Sequence, residues 1–71
     1  MRILFDAYIS GEPVRLAATC NDVFNLDPAK ILLDVITRDD ILIPLHKYVD
    51  DPDDFDRMME IAVEELAIVT K

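Results

Sequence analysis

The sequence predicts an α+β fold: a small antiparallel sheet of three or four strands packed on a C-terminal amphipathic helix. Three observations point there. Arg2 to Ile9 alternates with period two, the only glycine of the chain sits in the turn that follows, and the stretch after Asp51 opens with a capping signal and continues at helical spacing. A chain of 71 residues allows a single small acidic domain spanning 1–71, with a thin core. Such domains usually lean on a disulfide, a metal, very good packing or a partner chain. Cys20 is the only cysteine, which removes the intrachain disulfide.

The first strand places Ile3, Phe5, Ala7 and Ile9 on one face and Arg2, Leu4, Asp6 and Tyr8 on the other. Ser10-Gly11-Glu12-Pro13 is a turn signal. Val14, Leu16 and Ala18 then resume the period of two through Thr19, so the two segments read as a hairpin. Ala17, Ala18 and Cys20 would also suit a helix. Asn21 to Leu26 reads as a connector or a short helical turn.

The stretch from Asp27 to Arg38 carries two competing signals. Asp27-Pro28 can open a helix, and Lys30, Asp34 and Arg38 share one face at i, i+4, i+8. Against that, Ile31, Val35, Ile36 and Thr37 are β-branched and favour a strand. The strand is preferred, with Asp39-Asp40 turning the chain into a second strand over Ile41 to Val49. Pro44 marks that strand as an edge, since proline donates nothing to a ladder. The competing fold has a middle helix from Pro28 to Arg38 and fewer strands.

The last element is the best specified. Asp51 caps, Pro52 takes the first helical position, and Asp53 and Asp54 meet the positive end of the dipole. The helix runs to about Val69, with Phe55, Met58, Met59, Ala62, Leu66 and Val69 on one apolar arc. Ile61 and Ile68 fall outside that arc and mark either a broad groove or a seam for a second copy.

The charge pattern narrows the function classes. Fifteen acidic residues oppose seven basic ones, a formal net charge of −8. Up to Arg38 there are four basic and five acidic residues, and from Asp39 onward three basic and ten acidic. Direct nucleic-acid binding needs Lys and Arg against phosphate, and anionic membranes select for the same residues. Neither suits this chain. No stretch approaches the ~18 apolar residues that cross a bilayer. No signal peptide is visible, and the lone cysteine fits a reducing cytoplasm. The expected partner is the basic surface of a protein, in particular one that normally holds nucleic acid.

Catalytic signatures are missing. One histidine and one buried-type cysteine do not assemble a nucleophile–base pair, and one glycine makes no phosphate loop. An EF-hand loop begun at Asp51 puts Phe55, Asp56 and Ala62 where an oxygen ligand, a glycine and a glutamate belong. No cofactor, metal or catalytic residue is therefore assigned. The residues assigned to partner binding are Asp50, Asp51, Asp53, Asp54, Asp56, Glu60 and Glu64, the first five packed into seven positions and the last two extending them along a helix. Tyr8, Arg15 and Tyr48 are of the types that anchor interfaces.

In composition the chain resembles the small, acidic, single-domain inhibitors that phages and other mobile elements direct against host enzymes. The resemblance implies a non-enzymatic inhibitor that occupies a basic, nucleic-acid-binding surface, as a nucleic-acid mimic or an anti-CRISPR-like protein does. The alternative is a homodimeric structural or assembly subunit, paired through Ile61, Ile68 or the edge around Pro44, whose acidic face serves only solubility.

Overall fold

A computed structural model describes the whole chain except Asp22, Val23, Asn25 and Lys71. Four strands, β1 (Arg2–Ile9), β2 (Glu12–Cys20), β3 (Ile31–Ile36) and β4 (Leu42–Pro44), form one antiparallel meander in the order β1-β2-β3-β4. A single helical turn, α1 (Leu45–Tyr48), leads to the long helix α2 (Pro52–Val69), which packs across one face of the sheet. The α+β expectation holds, with four strands.

The β1–β2 connection is tighter than the four-residue turn signal. Ile9 pairs with Glu12, and only Ser10 and Gly11 turn the chain, at φ +53° and +81°. Two left-handed residues in succession match the right-handed twist of the strands they join. Pro13 therefore lies inside β2, beyond the last β2–β3 pair, Arg15 with Ile36. The hairpin reading of residues 14–19 was right and the helical one is excluded. Of the connector reading over 21–26, Asp22, Val23 and Asn25 fall outside the described residues.

Of the two signals in the 27–38 stretch the strand prevails: the middle helix from Pro28 to Arg38 does not form, and only its Asp27-Pro28 opening is used. The Asp27 carboxylate accepts the Ala29 amide at 3.0 Å and caps one 3-10 turn, Pro28–Lys30. The β-branched run then takes over as β3, with Ile31, Leu33 and Val35 buried. The next turn runs through Arg38 and Asp39 to Asp40, which is left-handed at φ +60°, and the Thr37 hydroxyl accepts the Ile41 amide at 3.1 Å.

The second strand expected over Ile41 to Val49 needs correction. Only Leu42–Pro44 is strand, and residues 45–48 close a helical turn. Leu45 and Val49 are both buried, and the Leu45 carbonyl accepts the Val49 amide at 2.9 Å. A strand would have brought these two residues to one face 13 Å apart at ~3.3 Å per residue; a turn stacks them over the same hole in the core. His46 thus stands exposed on α1 rather than on an edge strand.

The core is a two-layer sandwich. Phe5, Ala7, Ile9, Leu16, Ala18, Cys20, Ile31, Leu33 and Val35 from the sheet meet Leu45, Val49, Met58, Ala62 and Leu66. Phe55, Met59 and Ile61 pack on its margin. Val69, expected on the apolar arc, is exposed; the last arc residue to reach the core is Leu66.

Candidate protein-binding surfaces

Capping decides where the acidic residues point. The Asp51 carboxylate accepts the Asp53 amide at 2.9 Å, which fixes the start of α2. From there, ~100° per residue sets each direction. Met58, Ala62 and Leu66 face the core. Asp53, Asp56, Glu60 and Glu64 fall within about 80° of arc on the opposite side, along roughly 16 Å of helix. All four are exposed, and neither ion pair among the described residues uses them.

The remaining assigned acids are placed differently. Asp50 is exposed ahead of the cap, and Asp51 is spent on it. Asp54 turns to the flank of the helix, where it takes the Arg57 guanidinium at 2.9 Å. Arg57 also reaches the Tyr8 carbonyl of β1 at 3.5 Å, so this pair belongs to the packing of α2 on the sheet. The structure thus unites four of the seven assigned acids on one outward face and gives two of the others structural roles. Among the described residues no group of three or more His, Cys, Asp or Glu converges as a metal site requires.

On the far side of the sheet lies a second surface that the sequence reading under-weighted. The residues between the core positions form cross-strand rows there: Arg2, Thr19 and Leu32; Leu4, Ala17, Asp34 and Pro44; Asp6, Arg15, Ile36 and Leu42. Leu4, Leu32 and Tyr8 are 59%, 66% and 66% exposed, yet Ala17 between them is fully buried by its neighbours. Charges on this face are balanced, with Arg15 and Asp6 paired at 3.3 Å. The apolar residues at positions 4, 32, 36 and 42 were a signal in plain sight, since a one-sided sheet does not need them. Of the suggested anchors, Tyr8 and Arg15 stand on this face, and Tyr48 is exposed on α1. Cys20 is buried in the core. Ile61 is half-buried against the core margin, whereas Ile68 is 66% exposed.

Comparison with protein-family models, curated proteins and solved structures finds no match. No helix is long and apolar enough to cross a membrane, among the described residues.

Proposed function

We propose that this chain is a non-enzymatic binding protein that uses the outward face of α2 to occupy a basic, nucleic-acid-binding surface of a partner protein. The observation that carries the reading is the row of Asp53, Asp56, Glu60 and Glu64, aligned on one exposed helix face with no ion pair to any of them among the described residues. Carboxylates at successive turns offer acceptors to the same Arg and Lys side chains that hold phosphates. Asp50, exposed just ahead of the cap, adds a carboxylate near the same end of the helix.

The mechanism is steric and electrostatic competition. Long-range attraction speeds encounter, and the bound helix denies the surface to DNA or RNA. The reading names a nuclease, a CRISPR-type effector or a polymerase as the target, and the role as that of an anti-defence inhibitor of the kind phages and mobile elements carry, acting in the cytoplasm.

Tagged protein incubated in lysate of the source organism and washed in rising salt should retain a nucleic-acid-binding protein that elutes as salt increases. With that partner purified, Asp53→Asn, Asp56→Asn and Glu60→Gln together should weaken binding at low salt by at least about tenfold. Unchanged affinity with an intact fold would refute the acidic-face reading.

A further inference from the structure

The two edges of the sheet are not alike. β4 is three residues long and ends in Pro44. β1 is eight residues long and contains no proline. Its hydrogen-bond phase follows from its first pair: the Met1 ammonium donates to the Cys20 carbonyl at 2.7 Å, and the Cys20 amide returns to the Met1 carbonyl at 2.8 Å. Odd residues of β1 therefore bond to β2, and the amides and carbonyls of Arg2, Leu4, Asp6 and Tyr8 point out of the free edge. The Tyr8 carbonyl takes Arg57. Among the described residues no hydrogen bond reaches the outward groups of Arg2, Leu4 and Asp6. A bare, extended edge of this kind is a template for another strand.

We propose that two copies of this chain pair antiparallel through β1, with Leu4 on the twofold axis and Arg2 of each copy facing Asp6 of the other. The sequence of the edge selects a second copy over a foreign strand, because it is self-complementary in this one register. Leu4 meets Leu4, the two flanking pairs are each of opposite charge, and the three pairs use the three residues whose outward groups are unsatisfied. Registers displaced by one step set Leu4 against Arg2 or against Asp6. Those displaced by two set Arg2 against Arg2 or Asp6 against Asp6. Among the described residues Arg2 donates its Nε alone, to the Thr19 hydroxyl at 3.2 Å, which leaves its terminal nitrogens to reach across.

The helix supports the same edge. Arg57 reaches the outward carbonyl of Tyr8, so its flank of α2 overhangs β1. Ile61 and Ile68 lie within about 40° of Arg57 around the helix axis. Ile68, 66% exposed, thus lies on the same flank of the helix as Arg57. Two such copies make one eight-stranded sheet with both helices on the same side. Because each chain carries a net charge of −8, salt should strengthen this pairing.

The test is sedimentation equilibrium of the full chain from about 1 μM to about 1 mM, at low and high salt. The wild type should pass from monomer to twice that mass, at lower concentration in high salt. Leu4→Lys puts two like charges on the axis and should raise the dimer dissociation constant by at least about tenfold. Leu32→Lys, equally exposed but on an inner strand, should leave it unchanged. Arg2→Asp and Asp6→Arg should each weaken the dimer, and the double variant should recover it. Circular dichroism and thermal melts of each variant separate lost pairing from lost folding. In Leu4→Cys the two Cα atoms lie about 5.5 Å apart, within disulfide range, so oxidation should give a covalent dimer. A monomer at every concentration would overturn the proposal. So would a dimer indifferent to Leu4→Lys, one weakened equally by Leu32→Lys, or no recovery in the double variant. The proposal is independent of the acidic-face reading, whose binding weakens with salt where this pairing strengthens.

Discussion

The outward face of α2 and the open face of the sheet both meet solvent, and they are built by opposite means. The helix face is one sign of charge repeated at successive turns. The sheet face alternates leucine, isoleucine and tyrosine with charges that cancel, as Asp6 and Arg15 do. Each works against the molecule's own solubility or stability in a different way. Aligned acids repel one another along the helix, while exposed apolar side chains stay in contact with water. One difference follows directly: contacts made by the helix face weaken in salt, and contacts made by the sheet do not.

That contrast can be broken or sharpened by substitution. The largest effect belongs to the layer separating the two faces. Leu66→Ala, at a fully buried position of α2, should cost about 2–5 kcal/mol in urea unfolding and leave neither face intact near room temperature. Asp51→Ala removes the cap that orients the acidic row and should cost about 1 kcal/mol, with helix fraying visible in amide exchange. Glu60→Lys replaces two like-charge neighbours at i±4 with opposite-charge ones. It should stabilise the chain by roughly 0.5 kcal/mol while weakening capture of the basic partner, a divergence that a merely solubilising face would not show. Ser10→Asn creates the turn pair best suited to two left-handed residues and should add a few tenths of a kcal/mol. Leu32→Thr, on the open face, should change stability by less than about 0.5 kcal/mol. A loss as large as that of Leu66→Ala would show that the open face is in fact part of a buried layer.

Much of this architecture was legible in the residues. The period of two in β1 is visible because only one face is apolar, and α2 is visible because its cap, its proline and its arc agree. The 45–49 turn was not legible, because Leu45 and Val49 stand at a spacing that serves a helix and a strand alike. Only the depth of the hole they fill decides between them. The acidic row and the departure of Asp54 from it both follow from helical spacing once the cap is placed. What spacing does not give is the reach of Arg57 to the Tyr8 carbonyl, a contact between residues far apart in sequence. The bare edge was hidden for a different reason: whether an amide points inward or outward depends on the phase of a ladder, and that phase is set by the pairing of Met1 with Cys20.

The meander order has a consequence for how the chain reaches this state. Each strand pairs with the next in sequence, so the sheet can zip from one hairpin to the next as it leaves the ribosome. The helix that covers it comes last, and it docks against β1, the strand made first. Between those two events the apolar side of the sheet has nothing over it. The nascent protein must pass through a stage with one wet core face, and that interval is when a chaperone would find it and when crowding would most readily divert it into aggregates.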